Sequence, residues 1–255
     1  METILEVKDL CKTYIINKRQ NNVLKNVSFS VAAGEMIAVM GPSSSGKSTL
    51  LYTASGMDGM TSGSVSFKGR DISKLKKDEL SELRLDEMGF IFQQMYMLKN
   101  LSLLDNIILP AMRSEKDHAS RADKKRRGEE LMKKLGISDI ADNDINEVSG
   151  GQLQRACIAR SMINSPTMIF ADEPTGALNR TSSEEVTDEL VRLNAEGTTI
   201  LLVTHDSHVA AKCDRVLYIV DGNIKAEHTL GKYKGPSSMR DRERSLNNWL
   251  MDLGW

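Results

Sequence analysis

The sequence has little cysteine and no cysteine pair at close spacing. Its three cysteines, Cys11, Cys157 and Cys213, lie far apart along the chain. This spacing excludes a zinc knuckle and a C-x-x-C redox motif, and so sparse a set is typical of a reducing compartment.

An excess of one charge is also lacking, since 34 Lys and Arg stand against 35 Asp and Glu, a net charge of -1. We therefore expect no nucleic acid partner.

Long apolar runs are absent as well. No run approaches the roughly 20 residues that a membrane-spanning helix needs. The start, METILEVKDL, carries acidic side chains and no basic segment followed by an apolar core, so it does not predict a signal peptide. Repeats of solenoid length and low-complexity segments are missing too. Any function at a membrane therefore requires a partner.

The hydrophobic pattern predicts an α/β fold. Apolar runs such as EMIAVM, TMIFADE and TTILLVTH are typical of central parallel strands. Alternating patterns in the first 35 residues predict half-buried strands, and residues from about 98 to 165 have mostly helical patterns. We expect a parallel core sheet with β-rich material on its N-terminal side and a helical insert.

A phosphate-binding loop is predicted at GPSSSGKS, which joins a buried strand to a helix. In such a loop the backbone N–H groups and the positive helix end surround phosphate. Lys47 would reach the β- and γ-phosphates and Ser48 would bind Mg²⁺. The alternative is a serine-rich turn with a chance Gly-Lys-Ser. The predicted nucleotide contacts in this segment are Gly41, Ser43, Ser44, Ser45, Gly46, Lys47, Ser48 and Thr49.

Two acidic residues follow a later apolar strand, in MIFADE. Asp172 ends that strand, at the edge where α/β sheets bind ligands. Successive strand residues point in different directions, so Asp172 can face Mg²⁺ through water while Glu173 faces the attacking water. Glu173 is then the candidate general base. The alternative is a pair of acids at a strand end.

A third motif points to a family. The segment VSGGQLQR, residues 148–155, resembles the signature of ABC-type ATPases. The phosphate loop, this signature, ADEPTGALN and a TH pair occur in the order found in that family's nucleotide-binding domain. The resemblance covers residues from about 3 to 230. It implies an ABC-type P-loop ATPase with a parallel core sheet, an antiparallel β subdomain and a helical insert. We expect this domain over residues 1–230, its helical subdomain over about 95–165, and a C-terminal tail, helical in pattern, over 231–255.

The resemblance implies further site residues. Tyr14 looks like the aromatic residue that stacks on adenine, although a core or strand-edge tyrosine is the alternative. Gln93 resembles the glutamine that contacts Mg²⁺ and water, and His205 the histidine that contacts the γ-phosphate. The implied catalytic set is Glu173, His205 and Gln93, and the implied metal set is Ser48, Gln93 and Asp172.

The signature implies a dimer. Its residues Ser149, Gly150, Gly151 and Gln152 would cover the ATP of a second chain, head to tail, because one phosphate loop leaves the γ-phosphate exposed on one side. A single phosphate loop and a single signature are present in this sequence. Two chains, identical or not, are therefore expected in the working unit, with ATP and Mg²⁺ as its cofactors.

The sequence is similar to one branch of this family, which serves macrolide and antimicrobial-peptide exporters, lipoprotein release and a cell-division complex. Within it the sequence looks most like bacitracin-type peptide-resistance ATPases, whose permeases are separate chains. We expect an ATPase bound through a permease to the cytoplasmic face of the plasma membrane. The alternatives are regulation of cell-wall or cell-division enzymes, and lipoprotein or macrolide efflux.

Two residues depart from the family pattern. Ser44 stands where the loop usually has glycine, so it costs on the order of 1 kcal/mol if its φ is positive. Asn179 stands where aspartate is usual, and it keeps hydrogen bonding without the charge.

The sequence leaves the roles of two other segments undecided. Residues 93–104 favour either a docking groove or packing of the insert, and the tail favours packing on its own domain over a contact with another chain.

Overall fold

The computed structural model describes residues 2–255. Its ten strands are β1 (Thr3–Ile16), β2 (Arg19–Ala32), β3 (Met36–Met40), β4 (Ser62–Phe67), β5 (Arg70–Asp71), β6 (Met88–Phe92), β7 (Met168–Asp172), β8 (Thr199–Val203), β9 (Arg215–Val220) and β10 (Asn223–Thr229). Its eight α-helices are α1 (Lys47–Ala54), α2 (Lys77–Glu87), α3 (Leu103–Arg113), α4 (Arg121–Lys134), α5 (Gly150–Met162), α6 (Arg180–Ala195), α7 (Ser207–Ala210) and α8 (Met239–Asp252). Three short 3₁₀ helices cover Ile72–Lys74, Ser138–Ile140 and Pro236–Ser238.

The strands form two sheets. The larger sheet has the order β10-β9-β3-β8-β7-β6, and all of its strands except β10 run parallel to their neighbours. The smaller sheet is antiparallel, in the order β2-β1-β4-β5. The predicted α/β fold, with its parallel core and antiparallel part, is confirmed. The central strands β3, β7 and β8 are buried at every residue, which explains their uninterrupted apolar sequences.

The larger sheet separates two apolar cores. One core lies between the two sheets and also receives Leu50, Leu51 and Ala54 of α1. The other lies on the opposite face, where the helices of the insert, α6 and α8 pack. Helix α1 therefore starts at the edge of the parallel sheet and runs between the sheets, which fixes the position of its N-terminus.

The C-terminal helix α8 packs on the rest of the chain. Its Leu246 and Leu250 are almost fully buried in the helical-side core. The buried guanidinium of Arg242 donates to the carbonyl oxygens of Ala211 and Cys213, each at 2.7 Å. These contacts attach α8 to the segment that follows β8. Of the helices within residues 2–255, none has the length and apolar character needed to span a bilayer.

Candidate functional site

The predicted phosphate loop connects β3 to α1, as the sequence indicated. Gly41 has no room for a side chain, because a Cβ there would lie 2.0 Å from the carbonyl oxygen of Ile219. Gly46 is the N-cap of α1 with a φ of +100°, which glycine adopts without strain. Both glycines of the motif are therefore required by the path of the backbone.

Lys47 lies buried at the first turn of α1. Its Nζ donates to the carbonyl oxygens of Gly41 and Pro42, both at 2.8 Å. Burial lowers the pKa of Lys47, whereas the charges of Glu173 and Asp172 act in the opposite direction. Its two partners are neutral carbonyls, so an anionic phosphate would be a stronger partner for the ammonium group.

Two oxygen-bearing side chains that could bind a hard metal cation lie together at the start of α1. Ser48 donates from its hydroxyl to Oδ1 of Asp172 at 2.8 Å, and the Asp172 side chain is buried at the end of β7. Within residues 2–255, no cluster of three or more His, Cys, Asp or Glu could hold a metal by itself. A hydroxyl and one carboxylate do fit Mg²⁺, which is commonly bound by one or two carboxylates together with substrate phosphates and water.

Three predicted catalytic side chains lie together beside this pair. Oε2 of Glu173 lies 3.2 Å from Nδ1 of His205. A Cβ added to Gly176 would lie 2.9 Å from Nε2 of Gln93 and 3.0 Å from Oε2 of Glu173, so both side chains flank this glycine. Glu173 has a positive φ of +44°, so the backbone leaves the extended conformation directly after Asp172, the last residue of β7. The carboxylates of Asp172 and Glu173 therefore point in different directions. The structure therefore brings Gln93, Glu173 and His205 to one edge of the sheet.

Tyr14 lies near this loop, on β1. Its hydroxyl donates to Asp58 at 2.6 Å, and Nζ of Lys12 lies 4.6 Å from its ring centroid. Burial and Asp58 raise the pKa of Tyr14, while a contact with Thr49 of α1 has the opposite effect. The ring is half-buried and stands beside α1, a position compatible with adenine stacking and with a strand-edge tyrosine. Its role stays a prediction.

The predicted signature lies at the start of α5. Ser149 is the N-cap, and its hydroxyl accepts from the backbone N–H of Gln152 at 3.3 Å. In return the Gln152 side chain accepts from the backbone N–H of Ser149 at 2.9 Å. Ser149 and Gly150 are exposed, while Gly151 is buried against Ser182 of α6. The result is a rigid helix N-terminus open to solvent, the kind of surface that binds anions.

A family profile described as "ABC transporter" matches residues 24–176. The chain belongs to the ABC transporter family. The family predicted from the motifs is confirmed, and with it ATP hydrolysis as the activity of this domain.

Curated relatives and solved structures agree with this ABC assignment. The macrolide export ATP-binding/permease protein MacB of Shewanella sp. strain W3-18-1 is 38% identical over 252 residues, which are 99% of this chain and 38% of that protein. The ABC transporter ATP-binding protein YknY of Bacillus subtilis strain 168 is 40% identical over 221 residues, which are 87% of this chain and 95% of that protein. This ABC chain therefore spans about two fifths of the length of MacB.

Two solved structures of an ABC cassette superpose on this chain. The dimeric structure of MJ0796, a bacterial ABC transporter cassette, superposes with a TM-score of 0.84 and 36% identity, over 90% of this chain and all of the other. A second structure of MJ0796, a dimeric post-hydrolysis state bound to ADP and Pi, superposes with the same TM-score and 35% identity. ATP and ADP are therefore ligands of this ABC fold, and the roles of the individual residues stay predictions.

The departure at Asn179 has a local structural reason. Asn179 is the N-cap of α6, and its side-chain oxygen accepts from the backbone N–H of Ser182 at 2.9 Å. Asparagine and aspartate cap helices about equally well. The substitution in this ABC chain therefore keeps the start of α6 and removes only a negative charge.

The departure at Ser44 has an energetic cost. Ser44 has a φ of +62°, in the left-handed region that favours glycine. We expect Ser44→Gly to raise the free energy of unfolding by about 1 kcal/mol, since the strain is relieved, while ATP affinity is retained. Chemical denaturation measures the change. The adjacent Ser43 has no positive φ, so Ser43→Gly should lower the free energy of unfolding instead. A loss of stability in both variants would contradict this account.

Two contacts of this ABC site were not predicted from the sequence. Tyr52, one turn after Ser48 on α1, donates its hydroxyl to Oδ2 of Asp172 at 2.6 Å. Burial is the main cause that raises the pKa of Tyr52, and the hydrogen bond to Asp172 raises it further. The phenol therefore keeps its proton and remains a hydrogen-bond donor. Arg160 of α5 donates to the carbonyl oxygens of Met95 and Tyr96. The four-residue spacing of Ser48 and Tyr52 was the available signal for the first contact.

Proposed function

We propose that this chain is the ATPase of an ABC exporter and that it drives a transmembrane permease through a groove beside Gln93. The observation that carries the proposal is this groove, a cavity of about 360 Å³ lined by residues of α2, β6, α5 and the segments that follow α1 and β6. We name it the β6 groove and define it by Met57, Arg84, Phe90, Phe92, Tyr96 and Arg160.

The β6 groove has the surface of a docking site. Met57 and Tyr96 expose 41% and 60% of their surface, and Leu98 beyond them exposes 50%. Aromatic residues, methionine and arginine are enriched in protein interfaces. The side chains of residues 93–104 were predicted either to dock a partner or to pack the insert. The exposure of Tyr96 and Leu98 supports docking for these residues, while Leu103 and Leu104 are buried in the insert.

The segment after β6 is held in an unusual conformation. Met95 and Tyr96 both have positive φ values, +60° and +46°. Such conformations cost energy and persist only where the surrounding structure fixes them. Arg160 fixes them here through its bonds to the carbonyl oxygens of both residues. A partner that displaces this segment would therefore also move Gln93, which lies two residues before Met95 and flanks Gly176 together with Glu173.

The chemistry proposed for the site is in-line attack of water on the γ-phosphate. Lys47 and the loop N–H groups would bind the phosphates, and Glu173 would orient and deprotonate the water. His205 would contact the γ-phosphate, and its Nδ1 lies 3.2 Å from Oε2 of Glu173. Ser48 and Asp172, with Gln93, would hold Mg²⁺, which neutralises charge on the phosphates.

The proposed working unit is a head-to-tail dimer. The signature helix N-terminus of one chain would close the ATP site of the other, so that ATP forms part of the interface. The exposure of Ser149 and Gly150 supports this arrangement. Residues 1–230 form the proposed ATPase domain, and the protein would lie at the membrane through its permease.

For the exported compound we propose an antimicrobial peptide, on the strength of the sequence resemblance to bacitracin-type ATPases. Macrolide export is the second candidate, favoured by relatives named as macrolide export proteins. Replacing the chromosomal copy by one encoding Glu173→Gln distinguishes them. Peptide export predicts increased sensitivity to bacitracin alone, and macrolide export predicts increased sensitivity to erythromycin alone. Unchanged sensitivity to bacitracin and to erythromycin would contradict both proposed substrates.

Docking at the β6 groove is tested by a charged substitution on its exposed rim. We expect Met57→Glu to reduce co-purification with a co-expressed exporter permease, while basal ATPase activity is unchanged. Met251→Glu is the matched control, because Met251 is 73% exposed and lies on α8. Undiminished co-purification of Met57→Glu would contradict docking at this groove.

A further inference from the structure

Tyr52 connects helix α1 to the carboxylate of Asp172. Its hydroxyl donates to Oδ2 of Asp172 at 2.6 Å, while Ser48 donates to Oδ1 at 2.8 Å. Ser48 and Tyr52 are four residues apart, so they lie on one face of α1. Both oxygens of one buried carboxylate are therefore bound by the same helix, the helix that begins at the phosphate loop.

The ring of Tyr52 is held by aromatic neighbours. Its centroid lies 6.3 Å from that of Phe92, and Phe92 packs edge-on against Tyr96 at 5.3 Å. Phe92 and Asp172 are also paired in register on the adjacent strands β6 and β7. The ring contacts do not involve the hydroxyl. Removal of the hydroxyl alone therefore leaves the packing of the ring intact.

The two hydrogen bonds fix the plane of the Asp172 carboxylate. A carboxylate bound at one oxygen only can rotate about its χ2 angle, which is a soft torsion. Partners that hydrogen-bond to a metal-binding carboxylate orient it, and their loss typically lowers metal affinity or activity tenfold to a hundredfold. The hydroxyl of Tyr52 occupies the place of such a partner, since it binds the oxygen of Asp172 that does not face Ser48.

We propose that Tyr52 is a positioning residue of the metal site, which holds the carboxylate of Asp172 in the orientation in which Asp172 and Ser48 would bind Mg²⁺. The proposal rests on the proposed role of Ser48 and Asp172 in holding Mg²⁺. Tyr52 acts through Asp172 and contacts neither the nucleotide nor the metal. Loss of the Tyr52 hydroxyl should therefore lower the affinity for the nucleotide when Mg²⁺ is present. It should not change the affinity that the phosphate loop provides without the metal.

The test compares nucleotide binding with and without the metal. The β,γ-imido analogue of ATP is titrated into the full chain by calorimetry, once with Mg²⁺ and once with EDTA. For Tyr52→Phe we expect about a tenfold loss of affinity with Mg²⁺ and unchanged affinity in EDTA. A variant that merely loosened the fold would lose affinity in both conditions. Tyr233→Phe removes the same atom from a tyrosine beside α8, and both of its affinities should equal those of the wild type.

Asp172→Asn separates the two proposals. If this variant loses affinity with Mg²⁺ and Tyr52→Phe does not, the role of Tyr52 is overturned while that of Asp172 stands. If Asp172→Asn itself retains full metal-dependent affinity, the assignment of the metal site is wrong, and the role of Tyr52 is overturned with it. A selective loss in both variants supports the proposal. Thermal unfolding without nucleotide should stay cooperative in each variant, with a midpoint for Tyr52→Phe that is lowered only by the loss of one hydrogen bond.

Discussion

Replacement of Glu173 by glutamine is expected to lower the rate of ATP hydrolysis roughly a hundredfold to ten-thousandfold, the contribution of a positioned general base. Glutamine has nearly the shape of glutamate but cannot accept a proton from water. Because Lys47 and the loop glycines are untouched, ATP should still bind. Phosphate release under saturating MgATP measures the rate, and binding of labelled ATP measures the affinity.

The control for this substitution is Glu129→Gln on α4. It removes the same charge from a side chain that is 52% exposed and paired with Lys125 at 3.9 Å, outside the site. Its rate of hydrolysis should equal that of the wild type. Hydrolysis by Glu173→Gln at the wild-type rate would exclude Glu173 as the base and would leave His205, its neighbour at 3.2 Å, as the next candidate.

Replacement of Ser149 by arginine is expected to abolish ATP-dependent dimer formation and turnover, and to leave the binding of ATP to the single chain unchanged. Ser149 is exposed at the start of α5, so arginine meets no core of its own chain. It would meet the partner's nucleotide and phosphate loop in a head-to-tail dimer. Turnover and the mass of the complex in MgATP measure the effect.

Ser120→Arg is the matched control, because Ser120 is an exposed N-cap that accepts from the backbone N–H of Asp123 at 3.1 Å. Both substitutions remove a helix cap, at a cost of about 1 kcal/mol. Only Ser149→Arg should lose the dimer. Equal losses in the two variants would show that the missing cap, and not the interface, is responsible.

The fold could be predicted from the sequence where local pattern and tertiary environment agree. The apolar strands β3, β7 and β8 are buried on both faces, so their sequences carry a signal that does not depend on the rest of the chain. The hairpin of β9 and β10 turns at Asp221-Gly222, an Asp-Gly pair that favours a two-residue hairpin turn, and both of these residues have positive φ. Turn chemistry of this kind is local, which is why it can be read from sequence.

The candidate site could be predicted only as far as its motifs extend. Lys47 follows from the Gly-Lys-Ser motif, Asp172 from its place at the end of an apolar strand, and the signature from the resemblance to ABC-type ATPases. The sign of φ at Ser44 depends on the loop around it and needed the structure. Tyr52 belongs to no motif. Its hydroxyl reaches a residue 120 positions away, and only the pairing of α1 with the end of β7 brings the two together.

We propose that two copies of this chain form a dimer around ATP. The most direct measurement is the molar mass of Glu173→Gln by light scattering, in MgATP and in MgADP at one protein concentration. A dimer that closes around ATP predicts the mass of two chains in MgATP, one chain in MgADP, and one chain in both when Ser149→Arg is added. The mass of a single chain in MgATP, with ATP bound to every molecule, would contradict it.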